Sequence, residues 1–210
     1  MLMDGQSVES GVTVLPHRVL KSLARTAHVQ TGGTVLEVGP LRPDAMQDWA
    51  KLGLTSTALT DTAPSVPSPP GQVLIGDVAG GMPVTAHSVD CVILRTAKTF
   101  QAGLTSPESL LGAANLLSCL KPNGSLLVLA PPDLNAWKDL LSAFPVKVSE
   151  GQYHDGLMYW LTFQFLIGRQ IQLPFLRAEI GKDAISRLQW HRLVRELVMK
   201  RMQSSQSKAA

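Results

Sequence analysis

The chain has 210 residues, of which 45% are hydrophobic and 17% are charged. A chain of this size and composition buries a substantial core in one domain, or in one domain with an appendage, and is too apolar for intrinsic disorder. Its two cysteines exclude a disulfide scaffold and a four-cysteine zinc site, and its five scattered histidines have no metal-ligand spacing, so we expect no metal site.

The sequence has no segment with the composition of a membrane anchor or a targeting peptide. The longest apolar run, Gly156 to Gly168, contains Gln164 and is shorter than the roughly 18–20 residues that cross a bilayer. Asp4 and Glu9 precede Arg18, the first basic residue, which is unlike a signal or transit peptide. We therefore expect a cytoplasmic protein without a transmembrane segment.

Apolar runs alternate with stretches of helical periodicity up to residue 144. The predicted helices cover 15–28, 44–52, 108–120 and 134–144. The predicted strands, which are short and apolar on both faces, cover 34–39, 56–59, 73–75, 89–94 and 125–129. This alternation predicts an α/β fold with a doubly wound, Rossmann-like parallel sheet that is covered by helices on both sides.

The pattern changes after residue 145. Two extended runs, 146–153 and 158–166, are joined by a segment that contains Asp155-Gly156, a dipeptide typical of tight hairpins. We therefore predict that the parallel sheet ends in an antiparallel hairpin formed by these two runs. Pro174 is expected to interrupt the chain before a final helix over 183–202.

The C-terminal part carries the positive charge of the chain. From residue 169 onward there are nine basic and three acidic residues, a net charge of +6, against −3 for the first 168 residues. We therefore divide the chain into a domain at 1–168 and a basic helical extension at 169–210. The helix over 183–202 has a predicted apolar stripe formed by Ile185, Leu188, Leu193, Leu197 and Val198.

Three explanations of this basic helix stay open. It could be a solvated amphipathic helix packed on the sheet or on another protein subunit. It could contact nucleic-acid phosphates, or attach to an anionic membrane. Trp190, which lies near the basic residues, is the feature that favours the membrane.

The order of the elements and four local strings resemble class I S-adenosylmethionine (SAM)-dependent methyltransferases, in particular the type 11-like group. The strings are V-L-E-V-G-P at 35–40, Asp61 after the second strand, G-D-V at 76–78 with S-V-D-C-V-I at 88–93, and L-K-P-N-G-S-L at 120–126. The resemblance covers about residues 17–167. It implies the class I methyltransferase arrangement of parallel strands with a terminal antiparallel hairpin.

The resemblance also implies a SAM site beyond the carboxyl ends of the first four strands. The residues that it assigns to the cofactor are Glu37, Gly39, Asp61, Asp77, Val78 and Arg95. An ionised carboxylate has two acceptor oxygens, which suits Asp61 to the ribose hydroxyls and Asp77 to the adenine amine. The backbone N–H of Val78 would donate to the adenine ring.

Methyl transfer is an in-line displacement on a sulfonium, and it depends on alignment and exclusion of water more than on a strong base. The sequence accordingly assigns no catalytic residue. The acceptor, a small molecule or a group presented by a partner, is expected between the hairpin and the loop at 96–105.

One departure from the family pattern bears on the function. Where the family continues with glycines, this chain has Leu41, Arg42 and Pro43. The side chains of Leu41 and Pro43 stand where backbone normally approaches the ligand, and Arg42 adds a positive charge that could either pair with the carboxylate of SAM or obstruct it. Two functions therefore stay open. One is SAM-dependent methyl transfer to an unidentified acceptor. The other is a catalytically inactive methyltransferase-fold protein that serves as a binding or assembly module through its basic helix.

Overall fold

A computed structural model describes residues 15–62, 71–154 and 172–209, with side chains up to residue 203. The helices in these ranges are α1 (His17–Thr26), α2 (Pro43–Lys51), α3 (Lys98–Gln101), α4 (Pro107–Cys119), α5 (Leu134–Ser142) and α6 (Arg187–Ala209). The strands are β1 (Thr34–Val38), β2 (Thr55–Thr60), β3 (Gln72–Ile75), β4 (Val89–Leu94), β5 (Leu120–Leu129), β6 (Lys147–His154) and β7 (Gln172–Glu179).

The strands form one sheet in the order β3-β2-β1-β4-β5-β7-β6. β1 to β5 run parallel to one another, and β7 is antiparallel to both of its neighbours, β5 and β6. The predicted fold class, an α/β sheet of parallel strands with an antiparallel end, is therefore confirmed. The carboxyl ends of β1 to β4 meet at one edge of the sheet, where parallel α/β sheets bind their ligands.

Local sequence explains where helices α4 and α5 begin. Ser106 caps α4 by accepting a 3.1 Å hydrogen bond from the N–H of Ser109, and Pro107 follows it in the first turn. Asp133 caps α5 in the same way, with a 2.9 Å bond from the N–H of Ala136. The predicted turn at 121–124 lies inside β5, where the register with β4 shifts.

The antiparallel end of the sheet contains a strand that the sequence did not predict. β6 pairs with β7, residues 172–179, in a register that sets Tyr153 opposite Leu173. The run 158–166 lies outside the described residues. Pro174, which was expected to interrupt the chain, stands inside β7, and its carbonyl accepts a 2.8 Å bond from the N–H of Ala130. The sheet thus extends beyond residue 168 into the segment predicted as a C-terminal extension.

Helices cover both faces of the sheet. α1 and α2 pack on one face around Trp49, whereas α4, α5 and α6 pack on the other. In α6 the buried residues are Trp190 and Val194, and the Trp190 ring meets Phe144 edge-on with centroids 5.8 Å apart. The predicted stripe is wrong at Leu188, which is 65% exposed. Because the Trp190 side chain is buried in the core, it is not exposed for contact with a membrane.

Both cysteines, Cys91 and Cys119, are buried and unbonded to each other, and burial raises the pKa of each thiol. Across the described ranges, no group of three histidine, cysteine or acidic side chains could hold a metal ion. None of the helices in those ranges combines the length and apolarity that a membrane span requires.

Candidate functional site

A cleft of about 400 Å³ opens at the carboxyl ends of β1 to β4. Backbone hydrogen bonds of 3.0–3.1 Å hold these strand ends side by side, from Gly39 to Leu59, from Gly76 to Thr60, and from Arg95 to Val38. The sequence places a glycine or a charged residue directly after each of these strands, namely Gly39, Asp61, Gly76 and Arg95. Four of the six predicted cofactor residues line this cleft, namely Gly39, Asp61, Asp77 and Val78.

Gly39 occupies a position that no other residue fits without strain. Its φ is +138°, a conformation that residues with a side chain rarely adopt. A Cβ at this position would lie 3.0 Å from the carbonyl oxygen of Thr96. The glycine therefore lets the β1 turn approach the segment that follows β4 and leaves the cleft between them open.

The two aspartates of the cleft have different surroundings. Asp61 lies 3.1 Å from the ammonium of Lys98, and both side chains are exposed. Asp77 accepts a hydrogen bond from the hydroxyl of Thr99 and a 3.3 Å bond from the N–H of Ala79. Both bonds end on Oδ1 of Asp77, and the residue is exposed at the cleft.

Glu37 and Arg95 are brought together, but away from the cleft lining. The Glu37 carboxylate is buried and accepts a 2.8 Å bond from the indole N–H of Trp49. Arg95 donates to the same Glu37 oxygen at 3.4 Å. Burial lowers the pKa of the Arg95 guanidinium, and the charge of Arg42 acts in the same direction while Glu37 opposes both.

The turn that departs from the family pattern does not line the cleft. Arg42 is buried and forms a 2.6 Å ion pair with Asp44, and this hydrogen bond lowers the pKa of the Asp44 carboxyl. Pro43 begins α2, where its fixed φ and missing N–H suit the first helical turn. Neither these two residues nor Leu41 is among the residues around the cleft.

A second pocket of about 180 Å³ adjoins the cleft and shares Thr96, Ala97 and Gln101 with it. Its wall is mostly apolar and includes Phe100, Trp137, Val128, Leu129, Pro131 and Pro132, together with Arg95. The Phe100 and Trp137 rings are tilted by 53° with centroids 4.7 Å apart. This pocket therefore presents a largely apolar surface directly beside the cleft.

Sequence reasoning missed the polar groups that hold the β3–β4 loop, which we define as residues 76–88. Thr99, which donates to Asp77, lies on α3, a helix of four residues that is too short to show a periodicity. Asn115 is buried in α4, and its amide donates a 2.7 Å bond to the carbonyl of Val78. A polar residue among the apolar residues of a predicted helix was the available signal, because a buried amide needs partners.

Comparison with known proteins gives a likeness of fold. No protein-family model matches the chain, and no curated protein matches it. A SAM-dependent methyltransferase from Methanosarcina mazei superposes with a TM-score of 0.52 at 11% identity, over 77% of this chain and 98% of that one. The [4+2]-cyclase SpnF gives a TM-score of 0.54 at 12% identity, over 80% of this chain and 81% of its own.

A third similar structure is the Haemonchus contortus phosphoethanolamine N-methyltransferase 2 in complex with SAM. Its TM-score is 0.53 at 12% identity, over 77% of this chain and 52% of the methyltransferase. Together with the strand order, these likenesses establish that the chain has the class I methyltransferase fold. Identities of 11–12% establish the fold alone.

Proposed function

We propose that the chain binds SAM in the cleft at the ends of β1 to β4 and transfers its methyl group to an acceptor in the adjoining pocket. The observation that carries the proposal is a cleft of about 400 Å³ that is lined by two exposed aspartates and by the glycine turn after β1. The M. mazei and H. contortus proteins, which share the fold, support the choice of SAM.

The roles of the cofactor residues follow from their chemistry. Oδ2 of Asp77 accepts a hydrogen bond from the adenine amine, because the two described protein bonds of this carboxylate end on Oδ1. The N–H of Val78 donates to the adenine ring, and Asp61 accepts from the ribose hydroxyls in exchange for Lys98. SAM supplies an electrophilic methyl group, while the chain aligns it and excludes water.

Glu37 and Arg95 have indirect roles in this proposal. Glu37 neutralises the Arg95 guanidinium and anchors α2 through Trp49, so it holds the walls of the cleft instead of touching the cofactor. Arg95 lies between the cleft and the acceptor pocket, since its own N–H bonds to β1 and the residue lines the second pocket.

The acceptor is small and largely apolar, because the adjoining pocket has a volume of about 180 Å³ and its wall includes two aromatic rings and two prolines. Trp137 and Phe100 suit a planar group, which they would contact through their ring faces or edges. The inactive-module alternative was motivated by Leu41, Arg42 and Pro43. Because these residues leave the cleft open, we do not propose it.

Calorimetric titration with S-adenosylhomocysteine (SAH), the demethylated product of SAM, tests the proposal. The unmodified chain is expected to bind SAH at micromolar concentration. Asp77→Ala should weaken binding by about tenfold or more, since a hydrogen bond to a charged group contributes about 1.5–3 kcal/mol. Asp139→Ala, which removes an exposed carboxylate on α5, is the matched control and should bind like the unmodified chain.

Two results would overturn the proposal. One is the absence of any heat or thermal shift at millimolar SAH. The other is an Asp77→Ala variant that binds SAH as well as the unmodified chain. Methyl transfer itself is then tested with methyl-labelled SAM and a panel of small phenols and aromatic amines. Trp137→Ala should reduce transfer while leaving the affinity for SAH unchanged.

A further inference from the structure

A chain of hydrogen bonds joins the C-terminal helix to the β3–β4 loop. Nε2 of His191, on α6, lies 2.9 Å from Oδ1 of Asn115, on α4. Nδ2 of the same Asn115 donates to the carbonyl of Val78 at 2.7 Å. We propose that His191 is a positioning residue for the adenine side of the cleft, acting through Asn115. This inference rests on the proposed function.

The chemistry of the three groups fixes the direction of every bond. The Val78 carbonyl can only accept, so the NH₂ of Asn115 must face it and Oδ1 must face His191. Oδ1 also only accepts, so His191 donates from Nε2. Without this donor, Oδ1 of Asn115 loses its described partner, and the amide is held only at its other end, by the Val78 carbonyl.

The Val78–Ala79 peptide group carries the effect to the cofactor aspartate. Its carbonyl is held by Asn115, and its N–H, which belongs to Ala79, donates to Oδ1 of Asp77 at 3.3 Å. The two ends of one planar peptide point in opposite directions. Fixing the carbonyl therefore aims the N–H at Asp77 and orients the carboxylate that we assign to adenine.

A second bond ties α6 to the same loop. Arg187, at the start of α6, donates to the carbonyl of Val84 at 2.6 Å and to the hydroxyl of Ser118 at 3.0 Å. α6 therefore holds the β3–β4 loop at two points, Val78 and Val84. The helix that the sequence presented as a separate basic extension contributes to the shape of the cleft.

The packing of α6 can be disturbed separately from the hydrogen-bond chain. Trp190 and Val194 are buried in the core, whereas His191 is only partly buried and faces Asn115. Val194→Ala removes buried methyl groups and should lower the melting temperature without touching the hydrogen bonds. It is the matched control for a purely structural contribution of this helix.

The experiment compares His191→Leu, His191→Gln and Val194→Ala in the full chain. Hydrogen–deuterium exchange of the loop peptides is measured without ligand, and SAH affinity is measured by calorimetry. In His191→Leu, exchange at Ala79 should rise and the affinity for SAH should fall about five- to tenfold, the scale of one lost hydrogen bond. His191→Gln keeps an N–H donor and should restore both, and Val194→Ala should change neither.

The other outcomes test two claims separately, the positioning role of His191 and the binding of SAH in the cleft. Unchanged exchange and affinity in His191→Leu would overturn the positioning role, as would an equal rise in exchange in Val194→Ala. If the loop responds to His191→Leu as expected but the unmodified chain binds no SAH, the hydrogen-bond chain is supported and the proposed function fails. If SAH binds equally to the unmodified chain and His191→Leu, the positioning role alone fails.

Discussion

The turn after β1 and the loop after β3 border the same cleft, but they handle their charged groups in opposite ways. Beside the first, Arg42 pairs with Asp44, and Arg95, which follows β4, pairs with Glu37 of β1, so each guanidinium has a carboxylate partner within the protein. In the second, the Asn115 amide and the Arg187 guanidinium hold the backbone, and the Asp77 carboxylate has one oxygen without a described protein partner.

This difference separates charges that build a site from charges that serve a ligand. Glu37 and Asp77 are both acids near the end of a predicted strand, and the sequence analysis assigns both of them to the cofactor. The structure buries Glu37 against the indole of Trp49 and leaves Asp77 exposed at the cleft. An acid at the edge of the sheet where ligands bind is therefore a candidate ligand residue only when the fold leaves one of its carboxylate oxygens without a protein partner.

The largest effect is expected from Glu37→Gln, because this change leaves the Arg95 charge buried without its partner. We expect the free energy of unfolding to fall by about 3–5 kcal/mol, measured by urea denaturation. Glu150→Gln removes an exposed carboxylate that pairs with the exposed Lys138, and should leave the urea midpoint unchanged. A Glu37→Gln chain that is fully stable but no longer binds SAH would instead make Glu37 a cofactor ligand.

Gly39→Ala tests whether the first turn must approach the segment after β4. The variant combines backbone strain at φ +138° with a Cβ 3.0 Å from the Thr96 oxygen. We expect a loss of stability of about 1–3 kcal/mol, with SAH binding weakened by about tenfold or more. Gly81→Ala has a similar φ of +128°, but no described atom lies within 4 Å of its Cβ position, so it should keep SAH binding. Equal effects would attribute the loss to strain alone.

Acid titration tests whether the Arg42–Asp44 ion pair contributes to stability. The hydrogen bond from Arg42 lowers the pKa of Asp44 below its ordinary value of 3.8. The pair therefore contributes stability above pH 3.8 that is lost as the pH falls through the lower, folded-state pKa. Asp44→Asn should lose less stability than the unmodified chain between pH 6 and pH 2.5, measured by urea unfolding. The effect is small because Asp44 is 52% exposed, and identical pH profiles would contradict it.

Lys98→Ala should have the smallest effect on stability, because the Lys98–Asp61 pair is exposed to solvent and such pairs contribute about 0–1 kcal/mol. The informative measurement for this variant is its affinity for SAH. Freeing Asp61 for the ribose hydroxyls should raise the affinity for SAH by about two- to threefold. The gain is expected to shrink at high salt, because salt already screens the pair in the unmodified chain. A fall in affinity would mean that Lys98 itself contacts the ligand.

The succession of strands β1 to β5 along the chain and the positions of Gly39, Asp61 and Asp77 follow from local pattern, since each of these residues stands within two residues of the end of a short apolar run. The pairing of Glu37 with Arg95 and Trp49 is a tertiary event between separate elements, and no local pattern encodes it. β7 was missed because Pro174 argues against a strand, whereas the aromatic run at 158–166 has the composition of one. The link from His191 to Val78 passes through three elements and appears only when α6 packs on α4.

The place of β7 between β5 and β6 affects how the chain must fold during synthesis. Residues 172–179 fill a gap between two strands that are made earlier, so both have an open hydrogen-bonding edge until β7 leaves the ribosome. A nascent chain that stops before residue 172 would expose these edges to other chains, and it would be prone to aggregate or to recruit chaperones. Premature stop codons late in the reading frame should therefore yield insoluble product even though all four strands that border the cleft have been made.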